Sequence, residues 1–184
     1  MESISYDLNG HYSLIRKTYN DKPFFRKHIS LEYESDFIEY IVASKIKRNP
    51  HPNLVTIYDI TTSYIDMELL ETDNIKKKID FNEIKRALIH LHKLNVVYID
   101  LKLPNIGITR NTGETKIFDF NCCGILLTNT KWLYKPVYSK PYKILQDLDI
   151  THYKKYDYIV LDIFVEKYNK KNCLKSILNI FRGD

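Results

Sequence analysis

Two short polar motifs lie close together in the middle of the chain. Residues 98–105 read Tyr-Ile-Asp-Leu-Lys-Leu-Pro-Asn, and an Asp-Phe pair follows fourteen residues after the final Asn. Asp100 is suited to orient or deprotonate a hydroxyl group, and Lys102 to place an ammonium beside a phosphate. Asn105 and Asp119 offer oxygen atoms to Mg²⁺, a hard cation. Any one of these residues alone fits an ordinary polar loop, but the ordered set indicates phosphoryl transfer.

The composition limits the class of protein and its partners. With 184 residues, 44% hydrophobic and 28% charged, the chain is typical of globular proteins and long enough for a packed core. The net charge of +5 favours anionic partners, but the basic residues are spread along the chain and give no nucleic-acid footprint. No apolar run approaches the roughly 20 residues of a membrane span, and the first residues do not read as a signal peptide. We therefore expect neither a nucleic acid nor a membrane as a partner.

The cysteines bear on the compartment. The chain has three, Cys122 and Cys123 are adjacent, and no Cys-x-x-Cys spacing occurs. These features argue against a disulfide framework and against a zinc site. A reducing, cytoplasmic location is therefore predicted.

The richness in Ile, Lys, Asn and Tyr predicts an AT-rich genome, such as a viral or parasitic one.

The first part of the chain predicts strands around one helix. His11–Tyr19 and Phe24–Ile29 alternate as the strands of a hairpin, with an Asn-Asp-Lys-Pro turn between them. Apolar residues at helical spacing predict a helix over residues 36–48. Leu54–Ile60 and Tyr64–Leu70 then read as two further strands.

The second part of the chain predicts mainly helices. Asp80 and Glu83 fit a capping box that opens a helix. Two short apolar runs around an Asn-Thr-Gly turn predict a hairpin, and Cys122–Thr151 is expected to be irregular. Two final helices are predicted over residues 156–168 and 172–181. Strands early and helices late indicate an α+β fold of two lobes.

On these motifs the chain resembles the eukaryotic-type protein kinases, in a reduced form. The likeness runs from about Gly10 to about Asp162 and is densest over residues 88–105, which are similar to the family's Leu-His-x-x-x-(Ile/Val)-(His/Tyr)-Arg-Asp-Leu-Lys-Pro-x-Asn. His51–Val55 is similar to the family's His-Pro-Asn-Ile-Val. The resemblance implies one domain of 184 residues, with a small β-rich N-lobe over about 1–70 and a truncated helical C-lobe over about 71–184.

The resemblance implies a role for each residue of the two polar motifs and for the nucleotide site. Asp100 and Lys102 would be catalytic, and Asn105 and Asp119 would bind Mg²⁺. Residues 67–70 look like the strand and hinge that hold adenine. In that hinge, Met67 would be the gatekeeper, and Glu68 and Leu70 would bind the nucleotide, Leu70 through its backbone. Gly10 would be the one remaining glycine of the phosphate-binding loop.

Three further residues are matched to the family, each with an alternative. Lys27 corresponds to the phosphate-anchoring lysine of the third strand, although a solvated strand lysine would also fit. Glu39 corresponds to the helix glutamate that pairs with this lysine. Alternatively, Glu39 closes a capping box with Asp36, and Glu34 pairs with the lysine instead. Asp157 resembles the buried aspartate that holds the catalytic loop, although it would also fit the solvent-facing side of a helix.

Several family features are missing from the sequence. Because the glycine-rich loop is nearly absent, nucleotide binding is expected to be weaker or differently arranged. Ile99 replaces an arginine that receives an activation-loop phosphate, so this form of control is expected to be lost. Phe25 stands where the family has a small residue above adenine, and Gly107 stands where the family has a large residue below adenine. We hypothesise that the volume of the adenine pocket is unchanged and that the bound base is shifted.

Three functions remain open from the sequence. The first is a Ser/Thr protein kinase that uses ATP and Mg²⁺, favoured by Lys102. The second is a pseudokinase or decoy that binds a partner kinase or complex, favoured by the lost glycines and the truncation. The third is a small-molecule kinase of related fold. Retention of Asp100, Lys102, Asn105 and Asp119 opposes the second, because a pure binding module has no chemical need for all four.

Overall fold

A five-stranded antiparallel sheet forms the N-terminal lobe. The computed structural model describes residues 3–4, 12–19, 22–138, 140–147 and 152–168. The strands lie in the order β1-β2-β3-β5-β4. Their bounds are β1 Ser3–Ile4, β2 Tyr12–Tyr19, β3 Lys22–His28, β4 Ile57–Ile60 and β5 Tyr64–Glu68. The predicted hairpin of β2 and β3 is confirmed, but Lys22 and Pro23 belong to β3 and not to the turn.

One helix packs against this sheet. Helix α1 spans Glu34–Arg48, two residues longer at its start than predicted. Its buried stripe consists of Ile38, Glu39, Val42, Ala43 and Ile46. Asp36 does not cap the helix through a box with Glu39; its Oδ2 accepts a hydrogen bond from the N–H of Ser30 at 2.9 Å. The capping-box interpretation of Glu39 is therefore wrong, and this carboxylate is directed into the protein.

Two helices form the core of the second lobe. Helix α2 spans Phe81–Lys93 and α3 spans Lys155–Tyr168. Asp80 caps α2 by accepting from the N–H of Asn82 at 2.8 Å, as predicted, but Glu83 instead accepts from the N–H of Thr115 at 2.6 Å. The rings of Phe81 and Phe164 meet edge to face at 6.1 Å, which joins the two helices. The predicted helix over 172–181 lies outside the described residues.

The second lobe also contains five short strands. Strands β7 and β8 form the predicted hairpin, while β6, β9 and β10 form a three-stranded sheet in the order β10-β9-β6. Their bounds are β6 Val96–Val97, β7 Ile106–Ile108, β8 Thr115–Ile117, β9 Gly124–Thr128 and β10 Lys131–Tyr134. A 3₁₀ helix follows over Lys140–Asp147.

The prediction that Cys122–Thr151 is irregular is therefore wrong. Asn129 and Thr130 provide a turn between β9 and β10, and pairing with β6 gives the hairpin a third strand. Such pairing stabilises short strands whose local sequence signal is weak. The prolines at 136 and 141, which suggested irregular chain, lie after β10 and do not interrupt it.

The two lobes are joined by backbone as well as by side chains. Leu54 pairs with Ile117 in a parallel bridge. The N–H of Val55 donates to the carbonyl of Ile117, and the N–H of Ile117 donates to the carbonyl of Asn53, both at 3.1 Å. The result is the predicted α+β fold, with a β-rich lobe and a truncated helical lobe. None of the helices in the described ranges is both long enough and apolar enough to cross a bilayer.

Candidate active site

Lys27 joins the two lobes in the middle of the site. Its Nζ lies 2.6 Å from Glu39 Oε2 and 2.8 Å from Asp119 Oδ1. Lys27 and Glu39 are 6% and 1% exposed, so the alternative of a solvated strand lysine is wrong. A buried ammonium is stabilised only when it is paired, and helix α1 and the chain after β8 supply the two partners of Lys27. The ion pair expected between Lys27 and Glu39 is formed.

This buried cluster has one more carboxylate than ammonium groups. Burial raises the pKa of Glu39 above its ordinary value; Lys27 opposes the rise and the charge of Asp119 adds to it. A further positive charge beside Asp119 would therefore be electrostatically favoured. Asp119 is also the most accessible of the three, with 24% of its side chain exposed.

The backbone directs Asp119 toward Lys27. Asp119 has a φ of 63°, in the left-handed region that Asp tolerates better than most residues. The next residue, Phe120, is 1% exposed, and its ring packs edge to face against Tyr98 at 6.0 Å. Its N–H points to Glu39 Oε1 at 3.4 Å. Burial of this ring fixes the direction of the neighbouring carboxylate.

Asp100 uses its two carboxylate oxygens differently. Oδ2 accepts from Lys102 Nζ at 2.6 Å and from Asn105 Nδ2 at 3.0 Å. Oδ1 is buried and has no hydrogen-bond partner among the described residues. A buried carboxylate oxygen without a partner is costly, so a polar group supplied by a substrate would stabilise it. A hydroxyl group is suited to that position.

Lys102 remains a cation in this setting. Burial lowers its pKa, but the hydrogen bond and charge of Asp100, together with the charge of Asp119, outweigh burial and raise the pKa above its ordinary value. The Lys102 side chain is 41% exposed, so its ammonium lies at the border between the buried carboxylate and solvent. This position suits contact with a bound phosphate.

Hydrogen bonds hold the two polar motifs against each other. The N–H of Phe118 donates to the carbonyl of Asn105 at 3.0 Å, and the Tyr98 hydroxyl donates to the carbonyl of Phe118. Asp119 therefore lies next to Asn105, as the β7–β8 hairpin predicted. Burial, followed by the charges of Asp100 and Asp119, raises the pKa of the Cys122 thiol to about 11.

Asp157 on α3 holds the backbone of the loop. Its Oδ1 accepts from the N–H of Ile99 at 2.7 Å, and its Oδ2 accepts from the N–H of Tyr98 at 2.9 Å. Oδ2 also lies 2.8 Å from His92 Nε2. Asp157 is fully buried, so its alternative of a solvent-facing position is wrong. Ile99 has a φ of 61°, a strained value for a β-branched residue, and the two bonds to Asp157 maintain it.

The segment matched to the hinge has one expected and one unexpected feature. Leu70 makes no backbone hydrogen bond to any described residue, so its N–H and carbonyl suit a bound base. The carboxylate of Glu68 instead accepts from Lys116 Nζ at 2.6 Å and from the Thr56 hydroxyl at 2.8 Å. The N–H of Glu68 donates to the carbonyl of Thr56 at 2.9 Å, so of its polar groups only the backbone carbonyl suits a nucleotide. Gly10 lies outside the described residues.

The space beside Gly107 is already filled. A Cβ atom at this position would lie 2.5 Å from Leu70 Cβ and 2.9 Å from Leu70 Cδ1. The Leu70 side chain therefore packs directly against Gly107. The hypothesis that a reduced floor compensates for the bulky Phe25 stays a prediction.

Two residues of the site had no signal in the sequence analysis. Lys116 neutralises Glu68 from 48 positions away, and the Tyr142 hydroxyl donates to the carbonyl of Leu101 inside the catalytic loop. Alternation along β8 predicts only which face Lys116 occupies. The partner follows from how the two lobes meet, which local sequence does not encode.

The residues present fit a magnesium ion that is shared with phosphates. Among the described residues, no group of three or more His, Cys, Asp and Glu side chains could hold a metal by itself. Mg²⁺ commonly takes one or two protein oxygen ligands and completes its shell with phosphates and water. Asn105 and Asp119 supply such a pair, since the Asn105 amide turns its NH₂ toward Asp100 and thereby its Oδ1 away.

Comparison with known proteins gives the family. The profile of the protein kinase domain matches residues 9–158. The human hormonally up-regulated neu tumor-associated kinase is 33% identical over 96 residues, which cover 41% of this chain and 13% of the relative. Rat protein kinase C epsilon type is 42% identical over 71 residues, 36% of this chain and 9% of the relative. The match thus spans a small part of these relatives' length. With most of its length matched by the domain profile, the chain belongs to the eukaryotic-type protein kinase family.

Proposed function

We propose that this chain transfers the γ-phosphoryl group of ATP to a Ser or Thr hydroxyl of a protein, with Mg²⁺ as cofactor. The observation that carries the proposal is Asp100 Oδ1, a buried carboxylate oxygen without a partner among the described residues, set beside the cluster of Lys27 and Asp119. A protein that only bound partners would gain nothing from this costly arrangement.

The proposed reaction is a direct displacement at phosphorus. The acceptor oxygen forms a bond to the γ-phosphorus as the bond to the bridging oxygen breaks, and ADP leaves with those electrons. Asp100 orients the acceptor hydroxyl through Oδ1 and takes its proton. Lys102 Nζ, held 2.6 Å from Asp100, faces the group in transfer and stabilises its negative charge.

The remaining residues of the cluster bind ATP. Lys27, fixed by Glu39, offers its ammonium to the nonbridging phosphate oxygens. The backbone of Glu68 and Leu70 contacts the base. Mg²⁺, when bound by Asn105 and Asp119, supplies positive charge that neutralises the phosphates.

A pseudokinase is the second candidate, because one specific observation favours it. Gly10 is the only glycine in the first 106 residues, so a glycine-rich loop over the phosphates is absent. Without close backbone approach, ATP is expected to bind more weakly than in kinases with that loop.

Lys102 favours a protein acceptor over a small-molecule one by resemblance to the protein kinases.

Phosphate transfer from labelled ATP tests the proposal. The wild type should label itself or an added protein acceptor such as casein, in a magnesium-dependent way. Asp100→Asn should lower the rate by about 10²–10⁴-fold, because the general base is lost, while ATP still raises the melting temperature. Asp119→Asn should abolish both effects, and Asp162→Asn on the exposed side of α3 is the matched control. A wild type with neither transfer nor an ATP-induced melting shift would refute phosphoryl transfer.

A further inference from the structure

The chain after Asp119 has an uneven distribution of charge. Residues 122–146, which we name the lysine segment, contain four Lys and no Arg, Asp or Glu. The whole chain has 28 Lys and Arg against 23 Asp and Glu, which leaves 24 against 23 outside the segment. The lysine segment therefore carries a local charge of +4. The absence of acidic residues, and not a concentration of basic ones, produces this excess.

The four lysines are available to a partner. All are exposed, and none forms an ion pair with a described residue. They are Lys131, Lys135, Lys140 and Lys143. A positive field over one surface attracts anionic groups and raises their local concentration.

The lysine segment is fixed beside the catalytic loop. The N–H of Val137 donates to the carbonyl of Cys122 at 3.1 Å, which returns the chain to the residues just after Asp119. The Tyr142 hydroxyl donates to the carbonyl of Leu101, between Asp100 and Lys102 in sequence. Lys140 and Lys143 flank this tyrosine. The part of the lysine segment that carries Lys140 and Lys143 therefore lies beside the loop that contains Asp100.

The aromatic rings of the lysine segment are engaged within the protein. Each of three rings packs against a residue of another element. These contacts are Trp132 stacked on Tyr153 at 4.4 Å, Tyr134 edge to face with Phe37 at 5.8 Å and Tyr138 edge to face with Tyr156 at 6.0 Å. Surfaces that bind single-stranded nucleic acid combine positive charge with aromatic rings on which bases stack. The surface therefore presents ammonium groups without such rings, which favours carboxylates of a protein over a nucleic acid.

We propose that the lysine segment is a docking surface for acidic protein segments. The inference rests on the proposed function, in which these acidic segments are the substrates. They carry Asp or Glu on either side of the Ser or Thr that accepts the phosphate. The lysines act through charge, and they select which hydroxyl is presented to Asp100.

The test measures binding separately from catalysis. Two labelled peptides are compared by fluorescence anisotropy: one Ser flanked on both sides by Glu, and the same peptide with Gln for Glu. The first variant replaces all four lysines of the segment with Gln. The control variant makes the same change of charge elsewhere, replacing Lys76, Lys85, Lys93 and Lys167, all of which are exposed.

The wild type and the control variant should bind the Glu peptide in preference to the Gln peptide. The four-lysine variant should bind the Glu peptide about tenfold more weakly, since each exposed charge pair contributes little and several add. High salt should remove most of the preference. In the transfer assay, kcat/KM for the Glu peptide should fall by a similar factor, while that for the Gln peptide should change little.

Three results would overturn the docking surface: no preference of the wild type for Glu over Gln, unchanged binding in the four-lysine variant, or equal loss in the control variant. Tighter binding of a single-stranded oligonucleotide of matched charge would assign the surface to nucleic acid instead. Lysine-dependent binding of the Glu peptide without any phosphate transfer would support the surface and count against the proposed function alone.

Discussion

At the level of single residues, Asp100 shows how the site divides its polar groups. One oxygen holds Lys102 and Asn105, and the other is buried without a partner among the described residues. Glu39 and Asp119 share the ammonium of Lys27 in a similar way. Both arrangements leave negative charge that is only partly compensated. A bound cation and a substrate hydroxyl would compensate the remaining negative charge. Phosphoryl transfer requires both groups.

Burial, and after it the negative charges of Asp100 and Asp119, raises the pKa of the Cys122 thiol. Because its pKa is about 11, only a small fraction is thiolate at pH 8.5, and alkylation should be slower than for an unperturbed thiol and should increase up to about pH 11. Asp100→Asn removes one of the charges that raise the pKa and should speed alkylation at pH 8.5. The measurement is the rate of iodoacetamide labelling in metal-free buffer, with Cys122→Ser as the blank. A rate already at its maximum at pH 8.5 would contradict the expectation.

At the level of elements, helix α3 supports the catalytic loop through one side chain. Asp157 accepts the N–H groups of Tyr98 and Ile99, and Ile99 is in a backbone conformation that a β-branched residue rarely adopts. Strain of this kind costs about 1–3 kcal/mol and persists only when the surroundings hold it. The precision of the loop therefore depends on a helix almost sixty residues further along the chain.

Asp157→Asn should lower the free energy of unfolding by about 2–4 kcal/mol, because an amide NH₂ then faces backbone donors in a buried place. Phosphate transfer should fall as well, since the loop loses its support. Asp162→Asn on the exposed side of the same helix should change stability by less than about 0.5 kcal/mol. Urea unfolding curves check both variants. Equal effects of the two substitutions would show that Asp157 does not support the loop.

The hinge and strand β7 form a second element-level contact. The N–H groups of Glu71 and Ile108 each donate to the other's carbonyl at 2.9 Å, and the Leu70 side chain fills the space beside Gly107. The hinge is thus fixed by backbone bonds at one end and by packing at the other. Gly107 is required by this close approach, because any Cβ would meet Leu70.

Gly107→Ala should lower the free energy of unfolding by about 1–3 kcal/mol, since the added methyl overpacks the contact. Adding Leu70→Ala to this variant should recover part of the loss, because it removes Leu70 Cδ1 and Cγ; Cβ of residue 70, the atom nearest to the methyl, remains. Thermal and urea unfolding of both single variants and the double variant measure the coupling. Strictly additive losses would refute the proposed contact.

At the level of the whole molecule, the two lobes are connected through a charged pair and a strand bridge. Lys116 on β8 reaches Glu68 at the end of β5, with 8% and 20% of their side chains exposed. Next to it, the bridge between Leu54 and Ile117 joins the lobes through backbone. Ile117 precedes Asp119 by two residues, so the bridge holds the chain that carries Asp119 against the N-terminal lobe.

Lys116→Met should lower the free energy of unfolding by about 2–3 kcal/mol, because it leaves the largely buried Glu68 without its cation. Adding Glu68→Met should restore much of this loss. Lys47→Met is the control, since its pair with Asp59 is exposed and should contribute less than about 1 kcal/mol. Fluorescence of Trp132, the only tryptophan, follows unfolding. A double variant no more stable than Lys116→Met would contradict this account.

The sequence by itself determined the local features of this protein. The motif around Asp100, the hairpin that brings Asp119 next to Asn105, and the helix capped by Asp80 all follow from residue types at short spacing. Their interactions span few residues, so the signal and the structure coincide. Composition and order of elements likewise led to the α+β fold.

Only the tertiary structure decided which of several local possibilities each residue fulfils. Glu39 could cap its own helix or pair with a lysine, and Asp157 could face solvent or hold the loop. The hairpin of β9 and β10 and the pair of Lys116 with Glu68 gave no local signal at all. Asp119 lies 92 positions from Lys27, Asp157 lies 59 positions from Tyr98 and Lys116 lies 48 positions from Glu68. These pairings are set by burial in the folded protein. The two polar motifs thus identified the chemistry, and the packing of the lobes determined which side chains surround it.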